Sequence, residues 1–396
     1  MRVFIIVMTA AAALLGGMAE ASVLSSEEVL EQPGTPLSVA PWVRAADLRA
    51  VDKSAVDATL PMARPAVLVE SNYPAYDPAV NPDMSLYLSI APNGYAGPVT
   101  MYMYWQNRVT GEKRYYTATD GLLAAGERKD MFGNDTPVPV WVPTLNRLRL
   151  LGPSGSAFGP APSQTTGRYQ FVVELRDLQG KQVMSRGNAM YNFVDGTVSV
   201  QGDITEDTTL TANNLYVLVS AVFVRSGATL TIERGTVVFG DTGTRGTLVI
   251  SQGGKLMSVG TPMQPIIMSS PAELGQRAAQ DWGGLIINGY STLNVGDRPD
   301  PPTVPTEDAC SEGEGDTGAY GACGTPNEAD DSGMVRYTRI EFAGIEFSPD
   351  NELNGIAFQG VGSGGTFDHI QVHFNQDDGI EYLSLIHISE PTRLKT

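Results

Sequence analysis
Between Thr229 and Tyr382 the chain repeats one short phrase: a few alternating β-branched or apolar residues, then a corner containing Gly. Thr229-Leu-Thr-Ile-Glu233, Thr247-Leu-Val-Ile250, Pro265-Ile-Ile-Met268, Gly284-Leu-Ile-Ile287, Val335-Arg-Tyr-Thr-Arg-Ile-Glu-Phe342, Gly355-Ile-Ala-Phe358 and Phe367-Asp-His-Ile-Gln-Val-His373 all follow it. Spacing is often near 17–20 residues, as expected when each repeat is one unit stacked on the next. In such a coil alternate side chains turn inward, and a sharp corner favours Gly or Asn. No coil is stable alone, because only its neighbours cover its apolar face. Ile232, Ile250, Ile267 and Ile287 form the predicted inner ladder. The scarcity of helical patterns disfavours an α-solenoid, and no leucine-rich-repeat period is present.

The preceding segment, about 66–195, is a different β pattern. Met84-Ser-Leu-Tyr-Leu-Ser-Ile90, Val99-Thr-Met-Tyr-Met-Tyr-Trp105, Arg147-Leu-Arg-Leu150 and Tyr169-Gln-Phe-Val-Val-Glu-Leu175 alternate or run apolar, separated by Asn, Gly, Pro and Asp. Gly167 to Leu175, Gly180 and Ala189 to Phe193 predict a hairpin. The pattern resembles an immunoglobulin- or fibronectin-like sandwich. The rings at 101–105 suit sugar stacking, but core and cross-strand pairing is the commoner use.

The solenoid phrases carry a more specific resemblance. Gly227-Ala-Thr-Leu-Thr-Ile-Glu233, Gly253-Gly-Lys-Leu256, Trp282-Gly-Gly-Leu-Ile-Ile-Asn-Gly289, Arg336-Tyr-Thr-Arg-Ile-Glu-Phe-Ala-Gly344 and Asp368-His-Ile-Gln-Val-His373 are similar to secreted bacterial right-handed parallel β-helix proteins of the pectate-lyase-like fold. The resemblance covers about 197–382. It implies fold and compartment; the group has no settled activity, so it transfers no catalytic residue. The expected fold class is therefore all-β: an Ig/fibronectin-like β-sandwich followed by a C-terminally truncated right-handed parallel β-helix.

Charge and termini narrow the setting. A formal net charge of −18 argues against nucleic acid and anionic membrane surfaces as partners. Residues 1–21 read as a secretory signal: Arg2, an apolar run from Val3 to Gly17, and Ala19-Glu20-Ala21 as cleavage site. That run is short for a membrane span, and no later segment is apolar enough to be one. Residues 22–65 read as linker. The expected location is secreted: periplasmic, outer-surface or extracellular. Residues 383–393 resemble the translation of a sequencing adapter, so 383–396 are set aside as read-through and the last coil is expected to lack a cap.

The only cysteines, Cys310 and Cys323, lie in a Pro- and acid-rich insertion at 297–333. Downstream of a secretory signal, a disulfide is the expected state, contributing about 3 kcal/mol in the chain-entropy model. A thiolate metal site would need further His or Cys nearby.

Three constellations are candidate chemistry. Asn375-Gln-Asp-Asp-Gly-Ile-Glu381 holds paired carboxylates of the kind used in glycoside hydrolysis. It vaguely resembles the N-x-D-G-x-D segment of polygalacturonases, with an extra Asp and without that family's other motifs. The ordinary alternative is a corner between coils, with Asp accepting backbone N–H bonds. His369 and His373, four apart on a strand, share a face and would need Asp377 or Glu381 to complete a metal site. Asp308, Glu312, Asp316, Asp330 and Asp331 are an oxygen-rich set suited to weak Ca²⁺ binding, though EF-hand spacing is missing and a solvated loop is the default. No other cofactor is implied.

The functional expectation is a non-enzymatic secreted or cell-surface solenoid binding polysaccharide or a surface partner. The alternative is a polysaccharide hydrolase or lyase using Asp377, Asp378 and His373. For a lyase base, Arg336 and Arg339 are the basic residues in the late coils.

Overall fold
The structure is a computed structural model that describes residues 5–7, 64–80, 83–152, 156–158, 164–293, 310–348 and 351–383. The expected leader and linker lie outside these residues except for 5–7, 64 and 65, as do 297–309 of the insertion and 384–396 of the tail. The chain divides into two compact units at Asp195/Gly196.

The first unit is a two-sheet sandwich. Gly167–Arg176 and Val183–Phe193 form the expected hairpin, turning through Gly180 in the left-handed region (φ 66) where a Cβ is disfavoured. Gly167–Arg176 pairs on its other edge with Pro98–Asn107, and the sheet continues through Lys113–Thr117 and Gly121–Leu122. A second antiparallel sheet joins Ala66–Ser71, Leu86–Ala91 and Leu145–Leu151. One core lies between them: Leu86, Leu88, Ile90 and Leu148 meet Met101, Met103, Trp105, Phe171 and Val173. Strand alternation turns Tyr102 and Tyr104 to the opposite face, where they cluster with Tyr115. Lys113 Nζ lies 3.5 Å from the Tyr104 ring centroid and Arg128 lies over Tyr102 at 4.7 Å. All these rings are buried, so the aromatics at 101–105 serve packing and carry no exposed stacking platform.

The second unit coils three parallel ladders in turn. The first contains 208–210, 229–232, 255–259, 333–336 and 366–368. The second contains 196–201, 214–218, 237–240, 266–269, 338–341 and 370–373. The third contains 202–204, 222–224, 247–250, 284–288, 356–359 and 380–383. Every link between coils is parallel, which makes the unit a β-helix. Leu383 belongs to its last strand, one residue beyond the expected end. Ile5–Val7 runs parallel along the edge of 370–372.

Two kinds of corner turn the chain. Gly227 and Gly253 occupy matching corners on successive coils with φ +85 and +75, and Gly227 N–H donates to Gly253 O at 2.9 Å. Elsewhere a strand bends at one residue: Ser220, Tyr337 and His369 have φ 59, 48 and 52. Tyr337 and His369 are the same corner one coil apart, and their rings stack at 4.3 Å.

The interior is registered coil over coil. Val224, Ile250, Ile287 and Phe358 are consecutive partners in the third ladder, as are Val222, Leu248, Leu285 and Ile356. All eight are buried in one core with Ile232, Ile266 and Met268. Burying each aliphatic side chain stabilises by about 1.5–3 kcal/mol. One expectation fails: Ile267 is only partly buried, while Ile266 and Met268 point inward. Nor do the four isoleucines make a single ladder, since Ile232 lies in the first and Ile250 and Ile287 in the third. An apolar run without alternation does not reveal which parity faces the core.

Candidate functional site
The outer face of the third ladder begins apolar and ends acidic. Phe223, Val249, Ile286, Ala357 and Glu381 are successive outward partners. Ile345, Phe347 and Leu353 cover the middle of that row. They come from the 342–355 corner, which folds a small hairpin of Glu346–Ser348 with Asn351–Glu352. The disulfide insertion closes from the other side. Cys310–Glu312 pairs with Ala319–Gly321, and Cys310 is bonded to Cys323. Asn288 Nδ2 donates to Thr317 O at 2.9 Å, and Gln252 Nε2 donates to Gly289 O at 2.9 Å and Gly321 O at 2.7 Å. The short 3₁₀ turn Glu314–Asp316 thereby rests against the hairpin: a Cβ on Gly315 would lie 2.9 Å from the Phe347 ring and 3.1 Å from Leu353 Cδ2.

Glu381 is the centre of this region. Asn354 Nδ2 donates to Glu381 Oε2 at 2.8 Å. Burial against the apolar row is the main reason the Glu381 carboxyl is pushed up to about 7; Glu314, Asp377 and Asp378 add to it, and the Asn354 bond opposes it. Glu314 is raised for the same reasons, by burial first and then by Glu352 and Asp377. The corner bearing Asp377 and Asp378 is held to the preceding coil by Gly355 N–H donating to Asp378 O at 3.0 Å and Gln376 N–H to Ala343 O at 3.2 Å. Asp377 and Asp378 are exposed. The expected corner is present, but its side-chain acceptor is Asn375: Asn375 Oδ1 takes the Ala343 N–H at 2.9 Å.

His373 does not join this group. It lies on the second ladder, where His373 Nε2 is 2.9 Å from Glu341 Oε1, its register partner on the preceding coil. Ser269 Oγ donates to Glu341 Oε2 at 3.1 Å, and Arg339 is paired to Glu341. Burial pushes the Glu341 carboxyl up, but Arg339, His373 and Arg277 outweigh it and hold the group well below the usual carboxylate range. His369 is at the bend, 2.8 Å from Asp368 Oδ1, which also accepts from Arg336 Nε at 2.7 Å. Each histidine therefore has its own acid, and Arg336 and Arg339 are both engaged in ion pairs.

The proposed calcium residues are dispersed in use. Asp308 lies outside the described residues, and Glu312 and Asp316 are exposed. Asp331 pairs with Lys255 Nζ at 2.6 Å, while Asp330 is buried and accepts from Ser332 Oγ at 2.8 Å. Among the described residues, no group of three or more His, Cys, Asp or Glu side chains converges closely enough to hold a metal ion.

Sequence reasoning missed two relationships. Aligning Arg339-Ile-Glu-Phe342 with Gln371-Val-His-Phe374 as equivalent coils would have set Glu341 on His373. Glu314 had no such signal, because it reaches Glu381 only through the folding of the insertion.

Residues 202–384 match the family described as pectate-lyase like beta helix domain. That span is the solenoid, and it excludes the sandwich. No curated protein and no solved structure matches the chain. No helix among the described residues is long and apolar enough to cross a membrane.

Proposed function
We propose that the chain is a secreted or cell-surface β-solenoid that binds polysaccharide, without turning it over, on the outer face around Glu381. The Glu381–Asn354 pair carries the reading. It sets a half-buried carboxyl and a buried amide beside exposed Asp377 and Asp378, and carboxylates with amides are the groups that hydrogen-bond sugar hydroxyls. The apolar start at 3–17 with Ala19-Glu20-Ala21, and the Cys310–Cys323 disulfide, support an oxidising location outside the cytoplasm.

One observation favours a second reading, a polysaccharide hydrolase. Glu381, raised to about 7 beside other acids, suits a proton donor, with Asp377 or Asp378 as base. A lyase is less favoured, since Arg336 and Arg339 are occupied by Asp368 and Glu341. His373, bound to Glu341, has no part in either.

Incubating the full chain with a panel of neutral and charged glycans separates the readings. Retention of a glycan with no new reducing ends supports the binding protein. Reducing ends that disappear in Glu381→Gln and Asp377→Asn establish the hydrolase in its place.

A further inference from the structure
Three residues of the segment read as a secretory leader belong to the solenoid unit. Ile5–Val7 pairs in parallel with 370–372: Ile5 with Ile370, Ile6 with Gln371 and Val7 with Val372. The local sequence explains the strand. Val3-Phe-Ile-Ile-Val7 is β-branched or aromatic throughout, and such residues favour extended backbone. The run that follows, Ala10 to Leu15, has no such residue.

The register is the one the solenoid already uses. Ile266, Thr338 and Ile370 are consecutive inward partners on the second ladder, and so are Met268, Ile340 and Val372. Ile5 and Val7 extend those two rows by one position each. Ile370 and Val372 are each 2% exposed. The third ladder of the same coil is different. There Ile380 and Tyr382 continue the inward rows of Ile356 and Phe358, and among the described residues no strand pairs beyond them. Ile380 is half-buried and Tyr382 is 41% exposed. The inward rows are closed where Ile5–Val7 is added and open where no strand is.

We infer that residues 5–7 are a detachable cap on the solenoid. In a chain that keeps its leader they fill a parallel-strand slot at 370–372, and loss of residues 1–21 opens that slot. An uncovered strand edge is a template for pairing with another chain. The leader therefore shields this coil until it is removed.

The test is amide hydrogen exchange at 370–373 in the full chain, in its Ile5→Asp/Val7→Asp variant and in a chain beginning at Ser22. The two carboxylates stand in line with apolar inward rows, where an unpaired charge is costly. They lie outside the coils of 196–383, so strand 222–224 serves as the reference for an intact solenoid. The full chain is followed across a dilution series, and the altered chains at its dilute end, where copies do not pair. Exchange at 370–373 is expected to be at least about tenfold faster in both altered chains, as for an edge left to fray. A rate in Ile5→Asp/Val7→Asp equal to that of the full chain overturns the cap, whatever the shorter chain does. A shorter chain as protected as the full one overturns it too. Protection in the full chain that fades on dilution assigns the slot to a second copy and overturns the leader as its occupant.

Discussion
His373 Nε2 lies 2.9 Å from Glu341 Oε1, on a ladder that ends before the corner carrying Asp377 and Asp378. Glu341 is buried and is also paired with Arg339. This arrangement links two consecutive coils through a buried carboxylate and makes stability depend on acid.

The sign follows from Glu341. Its folded pKa lies below its ordinary value of 4.5. Its contribution is therefore present above that value and is lost as pH falls toward the folded one. Urea midpoints should drop below about pH 4.5 in the parent chain and drop less in Glu341→Gln. At neutral pH the variant should be destabilised by about 3 kcal/mol, since it leaves Arg339 and His373 without their acid. An unchanged acid limb in Glu341→Gln contradicts the pairing.

Glu381 acts with the opposite sign. Its carboxyl is raised from 4.5 to about 7, so between those values the folded state holds the extra proton. Stability should fall as pH rises across that interval and level off above it. Glu381→Gln should remove this decline while leaving the Glu341 limb in place. Following chemical denaturation at several pH values in both chains separates the two contributions.

The interior ladder predicts unequal costs for substitutions at inward and outward isoleucines. Ile250 and Ile287 are fully buried partners on adjacent coils. Replacing either with Ala should cost about 2–5 kcal/mol, the range for large-to-small changes in a core. Ile267, partly exposed between inward Ile266 and Met268, should cost less than about 1 kcal/mol when changed to Thr, as expected of a surface position. Equal losses at Ile267 and Ile287 would mean the strand is placed in the wrong parity.

Cys310 and Cys323 hold the small hairpin whose loop carries Glu314, a carboxylate whose charge adds to the raising of Glu381. Reduction should lower stability by about 3 kcal/mol in the chain-entropy account and release Glu314 from the cluster. The decline assigned to Glu381 should then become shallower, because one neighbouring carboxylate has gone. Parallel denaturation series with and without reductant measure both effects.

The sandwich-to-solenoid order was legible because alternation, apolar runs and Gly corners are local signals. The parity of Pro265-Ile-Ile-Met268 was not, since its run has no polar position to mark the outer face. Asp377 and Asp378 were found as a motif, but their partners were not. Glu314 reaches them through an insertion whose path depends on the disulfide and on Asn288 holding Thr317. His373 looked like their neighbour in sequence. The bend at Phe374, with φ 58, turns the chain between them.

Hydrogen–deuterium exchange of the full chain with and without a glycan that it retains from the panel tests the central claim most directly. Binding around Glu381 predicts added protection at 351–359 and 374–383, and little change in the sandwich strands at 98–107 and 167–176. Protection confined to the sandwich, or to the Tyr337–His369 corner, would contradict it.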